Sequence, residues 1–526
     1  MSPPGHGGFD ETFGLHGEWP DLNNYFHPSL PSRLEGEVRS LQVLGKIPDA
    51  INGTFYRMSA DPLFAPDPRI IWLDGDGVIS ALRIHKGKAD FKLRYVETER
   101  LKLEKKAGKA LFGLYRNPYS HHPCARAAID SVANTNVALW AGKLFAMKES
   151  ALPYEVDPDT LETKGYDPFG QVNSRTFTAH PKVDPHSDEL VVYGYEAKGL
   201  ATNDIVVYSI DKNGNVKDEQ WVKGPWVAFM HDCSITKNFI VIPVPPFEAD
   251  EEHMKAGGAH FEWQMHRNLT FLVIPRRRGK NLPPGWKEGE TRVYPWKNGM
   301  TGHSGGAWEE DGKLYLESGC FTDNMFPFFN NGRPPNPEIQ ISYVRWELDL
   351  SKPSGTKVAD PKILYMGPCE FPHFDERFMT REVDVSWMAA TLPTKGDVEG
   401  PVHAGLNGLL MHSNKTGKQQ FFNPGPNCSV SEPVFVPRTK DAPDGDGWVI
   451  SMVERQARHR NDCIIIDTRD FSKPVAVIQM PMYVKAQVHG AWVEEDALAE
   501  VPSRSAFLKP DEKEVVLMGR GSLAFL

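Results

Sequence analysis

Short β-type segments recur along almost the whole chain, and Gly, Asn or Asp residues that favour tight turns separate them. Clear examples are the segments 137–147, 189–195, 204–210, 313–317, 448–453 and 463–467. The Asn213-Gly214 pair between two apolar runs is a strong hairpin signal. No compositional break or low-complexity linker divides these segments. The pattern therefore predicts one antiparallel β architecture rather than a string of small domains.

The length of the chain narrows the choice among β architectures. It has 526 residues, and seven propeller blades of about 70 residues each would leave room for long loops over one face. We therefore predict an all-β, seven-bladed β-propeller over residues 46–526, preceded by a Pro- and Gly-rich leader over residues 1–45. Two short helical segments, 99–111 and 251–263, are expected among the loops.

Charge and hydropathy exclude several classes of partner. The chain has 59 basic and 69 acidic residues, a formal charge of −10, and its longest basic run is Arg276–Arg278. This balance argues against binding to a nucleic-acid backbone. The N-terminus has no secretory-signal pattern, and no apolar stretch approaches the ~18 residues of a spanning helix. We expect a cytoplasmic protein without a membrane span, whose oligomeric state the sequence leaves open.

Four histidines stand in short contexts that are typical of strand ends. They are His180 in Thr-Ala-His-Pro, His231 in Met-His-Asp, His303 in Gly-His-Ser-Gly and His489 in Val-His-Gly. They are far apart in sequence, so their spacing alone does not define a metal site. In a propeller, however, the inner strand of every blade faces one axis, where distant residues can converge. Imidazole suits iron, zinc and copper alike, which leaves the metal open at this point.

These histidine contexts, together with INGTFYR at 51–57 and WLDGDG at 72–77, closely resemble the carotenoid cleavage oxygenase family. The resemblance runs in order from about residue 45 to the C-terminus. It implies a seven-bladed propeller with one ferrous ion per chain on its axis, held by the four histidines, and dioxygen as co-substrate. It also implies that Glu149, Glu370 and Glu432 hydrogen-bond three of these ligands.

The chemistry of such a site is consistent with its residue types. Neutral imidazoles leave a ferrous ion with its full charge. Carboxylates that accept the other ring N–H orient the imidazoles and offset that charge. Four ligands leave up to two octahedral positions free, and one of them can take dioxygen.

Two further features resemble the stilbene-cleaving branch of the family, which includes lignostilbene dioxygenases and fungal resveratrol-cleaving oxygenases. They are the LYRNPY segment at 114–119 and Lys148, which directly precedes Glu149. In that branch Tyr115 and Lys148 would grip the 4-hydroxyl of the substrate. Successive strand residues face opposite ways, so Lys148 and Glu149 can both serve the site only where a strand ends or bulges. The residues expected to line the substrate cavity are Phe64, Phe326 and Thr135.

The resemblance implies a dioxygenase that splits the central C=C bond of a hydroxystilbene, such as resveratrol or piceatannol, into two aromatic aldehydes. Cleavage of a carotenoid or apocarotenoid is the alternative, and the apolar cluster 325–329 could then form a membrane-dipping entrance. A propeller without metal ligands on its axis would instead be an interaction module.

The segment 302–306 also fits the G-x-S-x-G nucleophile elbow of hydrolases, with Ser304 as the nucleophile. That motif needs a helix directly after the serine. The residues that follow have the pattern of strand, turn and strand, which argues against a hydrolase.

Overall fold

A computed structural model of the chain describes residues 32–66, 71–279, 282–326, 329–392 and 406–499. This part of the molecule contains seven antiparallel sheets of four to six strands and one two-stranded ribbon. The innermost strands of neighbouring sheets contact one another around a common axis. The prediction of an all-β, seven-bladed propeller is confirmed.

Blades 1 and 7 close the ring by combining strands from both ends of the described chain. Blade 1, from the axis outward, contains β33 (Gln487–Glu494), β3 (Gly53–Ala60), β4 (Gly77–His85), β5 (Lys88–Tyr95) and β1 (Gly36–Val38). Blade 7 contains β28 (Cys428–Val430), β29 (Val434–Pro437), β30 (Gly447–Arg455), β31 (Arg460–Asp467), β32 (Pro474–Gln479) and β2 (Gln42–Gly45). The C-terminal β33 pairs with β3, and the N-terminal β2 pairs with β32. Each end of the chain is thereby held by backbone hydrogen bonds to the other.

Blades 2 to 4 follow along the chain. Blade 2 contains β6 (Asn136–Trp140), β7 (Lys143–Met147), β8 (Tyr154–Val156) and β9 (Thr163–Tyr166). Blade 3 contains β10 (Lys182–Asp184), β11 (Glu189–Tyr195), β12 (Asp204–Asp211) and β13 (Val216–Lys223). Blade 4 contains β14 (Ser234–Ile235), β15 (Phe239–Val244), β18 (Thr270–Pro275) and β19 (Arg292–Pro295). The ribbon of β16 (Phe247–Ala249) and β17 (Phe261–Trp263) lies between β15 and β18 in sequence.

Blades 5 and 6 are regular four-stranded sheets. Blade 5 contains β20 (Met300–Glu310), β21 (Lys313–Phe321), β22 (Ile341–Asp349) and β23 (Lys362–Met366). Blade 6 contains β24 (Cys369–Phe374), β25 (Val385–Ala390), β26 (Gly408–Ser413) and β27 (Gln419–Phe422). Because β20 continues directly into the β20–β21 hairpin, no helix follows Ser304. This geometry excludes the nucleophile elbow.

The core of the molecule lies between the blades. Each pair of neighbouring blades shares a buried apolar cluster. Between blades 7 and 1, for example, Ile450 and Ile465 pack with Phe55 and Ile84. Strands that are covered on both faces need apolar residues at nearly every position. The blade interfaces thus account for the dense apolar runs in the sequence.

Three α-helices occur in the described part of the chain: α1 (Glu99–Ala107), α2 (Glu251–Lys255) and α3 (Glu495–Ala499). None of them has the length and apolar character needed to cross a membrane. The helix predicted over 99–111 ends early because Gly108 takes a left-handed conformation (φ 68°) that ends the helix. The helix predicted over 251–263 is wrong beyond Lys255, since the chain turns at Gly257 and pairs as β17.

The expected division of the chain at residue 45 falls inside the folded region. Residues 36–38 and 42–45 of the expected leader form β1 and β2, which pair with β5 and β32. Residues 1–31 lie outside the described residues, as does the C-terminal part of the expected propeller domain from residue 500. For residues 1–31 the leader stays a prediction.

Candidate metal centre

The four histidines named above come from four different blades and meet on the axis. His180 lies two residues before β10, and His231 lies three residues before β14. His303 lies in β20 and His489 in β33. One ring nitrogen of each lies within 4.8 Å of those of the others. The structure thus brings together all four histidines that the sequence motifs single out.

The ring nitrogens fit a cation better than they fit one another. The Nε2 atom of His231 lies 3.1 Å from Nε2 of both His180 and His303. The Nε2 atom of His489 is buried and has no hydrogen-bond partner in the described structure. An unpaired buried nitrogen is costly, and lone pairs that converge on one point repel each other. A metal ion among these four atoms would remove both costs, so the residues fit a metal.

Three glutamates contact the outer ring nitrogens of three of these histidines. Glu370 in β24 of blade 6 lies 2.6 Å from Nδ1 of His303. The other two pairs join blade 7 to blade 1 and blade 2 to blade 4: Glu432 lies 2.9 Å from His489 Nδ1, and Glu149 lies 3.5 Å from His231 Nδ1. At His303 and His489, an Nδ1–H that donates to the carboxylate leaves the Nε2 lone pair free for a metal, whereas His231 Nδ1 makes no hydrogen bond in the described structure. Each of the seven blades thus supplies one residue of the centre.

Irregularities in the inner strands allow these side chains to face the axis. The β20–β21 ladder shifts register on both sides of Ser304, directly after His303. The β24–β25 ladder shifts register between Glu370 and His373. Bulges of this kind redirect side chains near active sites. Gly302 is needed at the same place, because a Cβ atom there would collide with the Glu370 carboxylate.

Burial disfavours charge on two of the four imidazoles, whereas at His303 the neighbouring Glu370 outweighs burial and raises the pKa. Burial lowers the pKa of His489 to about 4 and that of His180 well below its usual range. Burial alone would raise the pKa of Glu432, but the neighbouring His489 and Arg57 outweigh it and hold that pKa at about 2. Arg57 donates to Glu432 at 2.8 Å and is fully buried. Arg57 belongs to the INGTFYR motif, but the sequence analysis did not assign it to the site.

An apolar cavity of about 120 Å³ opens beside the histidines. One side of it carries Phe326, as predicted, together with further apolar side chains. These include Phe229, Met300, Phe321, Met325 and Phe371. The cavity therefore suits a largely apolar ligand that lies next to the candidate metal position.

A second group of lining residues, which we call the polar side, consists of Asn134, Thr135, Lys148 and Glu149. Strand β7 ends at Met147, so Lys148 and Glu149 lie in a turn and both line the cavity. Thr135 lines it as predicted, and so does Asn134, which the sequence analysis did not identify. The Lys148 ammonium donates to the Leu73 carbonyl at 3.2 Å, and burial lowers its pKa. Asn134 donates to the same carbonyl at 2.8 Å, which fixes the acceptor that holds Lys148.

Two of the predicted residues do not line this cavity in the described structure. Tyr115 lies behind its polar side, where its hydroxyl donates to Glu149 Oε1 at 3.1 Å and its ring lies 5.1 Å from the Lys148 ammonium. Burial raises the pKa of Tyr115 well above its usual value, so this hydroxyl stays a donor. Phe64 lies on the loop after β3, where the Leu63 amide donates to Asp76 at 2.9 Å. The role of Phe64 as a residue that lines the substrate cavity stays a prediction.

Comparisons with known proteins agree with this architecture. The protein is 53% identical to resveratrol cleavage oxygenase 1 of Botryotinia fuckeliana over 97% of this chain and 92% of that protein. It is 38% identical to resveratrol cleavage oxygenase 1 of Aspergillus fumigatus over 90% of this chain and 96% of that protein. The crystal structure of Pseudomonas brassicacearum lignostilbene dioxygenase matches with a TM-score of 0.83 at 35% identity, over 89% of this chain and 97% of that one.

The sequence profile of one family, described as retinal pigment epithelial membrane protein, matches residues 29–494. This match spans every described blade. The chain therefore belongs to the retinal pigment epithelial membrane protein family, the carotenoid cleavage oxygenase family that its motifs resemble.

Proposed function

We propose that this protein is a non-haem Fe(II) dioxygenase that cleaves the central C=C bond of 4-hydroxystilbenes such as resveratrol and piceatannol. Each molecule of substrate takes up one molecule of dioxygen and yields two aromatic aldehydes, so all atoms are accounted for. The observation that carries the proposal is a buried lysine on the polar side of an apolar cavity that opens beside four converging histidines. The similarity to resveratrol-cleaving relatives supports the same substrate class.

The four histidines would hold the ferrous ion, and Glu149, Glu370 and Glu432 would orient three of them. Bound ferrous iron would supply the activation of dioxygen. Four neutral imidazoles are a plausible donor set for iron, but zinc and copper also accept them, so the choice of iron rests on the family.

Lys148 would act on the phenol of the substrate. Its ammonium donates one N–H to the Leu73 carbonyl and makes no other hydrogen bond in the described part of the chain. A free phenol has a pKa of about 10 and needs a nearby cation or base to lose its proton at neutral pH. Burial lowers the pKa of Lys148, which makes the neutral amine more accessible as a proton acceptor. Loss of the phenolic proton sends electron density through the ring to the alkene, which then reacts more readily with oxygen.

Tyr115 would keep the polar side in place. Because its hydroxyl donates to Glu149, it fixes the carboxylate that lies between Lys148 and His231. The resemblance would also have this hydroxyl grip the substrate phenol, and for that it would have to leave Glu149.

A carotenoid or apocarotenoid is the competing substrate class, since the apolar side of the cavity would also accept a polyene. Against this, a polyene offers nothing to Lys148, which is only 4% exposed. The Leu73 carbonyl accepts only one of the three N–H groups of this ammonium, so a ligand with a hydroxyl at this position would satisfy another.

The decisive experiment incubates the purified, iron-loaded protein with resveratrol and, separately, with an apocarotenal under ¹⁸O₂. We expect 4-hydroxybenzaldehyde and 3,5-dihydroxybenzaldehyde from resveratrol, each detected by mass spectrometry, and slower turnover of the apocarotenal. Faster cleavage of the apocarotenal than of resveratrol would contradict the proposal. Iron-free protein serves as the control and should form no aldehyde.

A further inference from the structure

Three polar residues next to the candidate ligands form one contact across three blades. Asp232 directly follows the histidine of blade 4. It lies between Lys182 of blade 3, two residues beyond that blade's histidine, and Ser304 of blade 5, the residue after that blade's histidine. We call Lys182, Asp232 and Ser304 the interblade bridge.

The bridge satisfies both oxygens of one carboxylate with donors from different strands. The Lys182 ammonium lies 2.8 Å from Asp232 Oδ1, which also accepts the Cys233 amide at 2.7 Å. The other oxygen, Oδ2, accepts the Ser304 amide at 2.9 Å and the Ser304 hydroxyl at 2.7 Å. The side chains of Lys182 and Asp232 are only 16% and 6% exposed, so solvent screens their attraction weakly.

Stability alone does not account for such an arrangement. The blades already share large apolar clusters, and a buried ion pair adds little net stability because both ions must first lose their hydration. What a fully hydrogen-bonded pair does provide is a defined geometry. Here the defined quantity is the distance between three backbone segments, each of which carries a histidine of the centre.

His180 of blade 3 differs from the other three histidines because no carboxylate orients its ring in the described structure. In the described structure no carboxylate lies within ion-pair distance of the His180 ring, whereas the other three histidines each face a glutamate. The backbone around it is held instead: Asn136 donates to Ala179 O at 3.0 Å, and Thr178 Oγ1 accepts the His180 amide at 2.9 Å. The ion pair from Lys182 adds a link from this segment to blades 4 and 5.

We propose that the interblade bridge sets the separation of the imidazoles of blades 3, 4 and 5, and thereby how tightly the centre retains its metal ion. The three bridge residues are positioning residues, because they act through the histidines. The inference rests on the proposed function in one respect: it takes the four histidines as the ligands of a ferrous ion.

The test measures how fast purified holoenzyme releases iron to an excess of a ferrous chelator. We expect Lys182→Met and Ser304→Ala each to release iron about 10–100 times faster than the wild type, the range typical of outer-shell substitutions. The matched control is Lys164→Met, which breaks a comparable Lys–Asp contact of 3.2 Å on the outer strand of blade 2. It should release iron at the wild-type rate.

A second measurement separates positioning from general destabilisation. The visible absorption of the cobalt(II)-substituted protein reports the ligand geometry, and we expect Lys182→Met to shift it while Lys164→Met leaves it unchanged. Ser304→Ala is the milder variant should Lys182→Met fold poorly. Wild-type rates and spectra in both bridge variants would overturn this inference alone, whereas a wild-type protein that binds no ferrous ion would overturn the metal centre as well.

Discussion

The candidate metal centre and the polar group around Lys148 are built in different ways, and we call them the metal side and the phenol side of the cavity. The metal side consists of the four histidines and their three glutamates, and each blade contributes one of these residues at an inner strand or strand end. The phenol side consists of Lys148, Tyr115 and the Leu73 carbonyl, which come from a turn and two loops outside the regular strands. The metal side is therefore set by closure of the ring, and the phenol side by local loop contacts.

This difference shows how such a scaffold can separate chemistry from specificity. A change on the metal side disturbs a position shared by all blades, whereas a change on the phenol side alters one loop and leaves the ring intact. Glu149 belongs to both sides, since it faces His231 and accepts the Tyr115 hydroxyl. The following predictions test the separation, from the largest expected effect to the smallest.

Replacing a histidine of the metal side should have the largest effect. We expect His303→Ala to lose both its iron and its cleavage activity, because one of four ligands is gone and Glu370 keeps an unpaired charge. Metal analysis and aldehyde assays of the purified variant check this. His186→Ala, at an exposed position, is the control. An iron-replete, active His303→Ala protein would contradict the ligand assignment.

Replacing the lysine of the phenol side should reduce activity without loss of metal. Positioned acid–base groups contribute about 10²–10⁴ in rate, so we expect Lys148→Met to lower kcat by that order while its iron content stays at the wild-type level. Lys143→Met, at the start of β7 and partly exposed, should behave as the wild type.

A change in the substrate sharpens the same prediction. A stilbene whose 4-hydroxyl is replaced by methoxy should slow the native protein about as much as Lys148→Met does on resveratrol. The same compound should slow Lys148→Met no further, because both changes remove one interaction. Equal rates for the hydroxyl and methoxy compounds with the native enzyme would contradict the role of Lys148.

Replacing a glutamate should weaken the metal side without abolishing it. We expect Glu370→Gln to cost about 10–100-fold in iron affinity, as is typical for residues that orient ligands. Glu149→Gln should cost less iron affinity, since Glu149 lies 3.5 Å from His231 whereas Glu370 lies 2.6 Å from His303. It should also slow cleavage, because Glu149 accepts the Tyr115 hydroxyl. Competition with a ferrous chelator measures the iron affinity, and steady-state kinetics measures the rate of cleavage. Unchanged affinity in Glu370→Gln would remove its orienting role.

Removing the tyrosine hydroxyl should have the smallest effect. A typical hydrogen bond is worth about 0.5–1.5 kcal/mol net, and the one from Tyr115 to Glu149 is long at 3.1 Å, so Tyr115→Phe should lower kcat/KM for resveratrol by a factor of about 2–10. Tyr119→Phe, in the same loop but bonded to Glu251, is the control. A loss of iron from Tyr115→Phe would show that the two sides of the cavity are not separable.

The sequence was most informative about features that repeat locally. Alternating apolar residues and turn signals such as Asn213-Gly214 predicted strands and hairpins, and the structure places that turn between β12 and β13. Helical periodicity was less reliable over 251–263, because a local pattern does not show that Phe261 pairs in a two-stranded ribbon and is completely buried. Local propensity loses to tertiary packing at such positions.

The motifs also identified residues that converge, but not how they contact one another. They named Glu149 and Lys148, yet only the end of β7 at Met147 allows both to face one cavity. They predicted Phe64 at the cavity, but they did not indicate that the neighbouring Leu63 amide donates to the Asp76 carboxylate. Asn134 and Arg57 carried no separate signal, because their roles consist of hydrogen bonds to groups far away in the sequence.

The sequence by itself determined the β class of the fold and the residue types available for chemistry, because these follow from periodicity and turn chemistry over a few residues. Only the tertiary structure decided which glutamate faces which histidine, that His180 faces none in the described structure, and that Asp232 joins blades 3 and 5. These contacts join segments 50 or more residues apart. They depend on closure of the ring and on bulges in its inner strands, and no local sequence pattern predicts either of these.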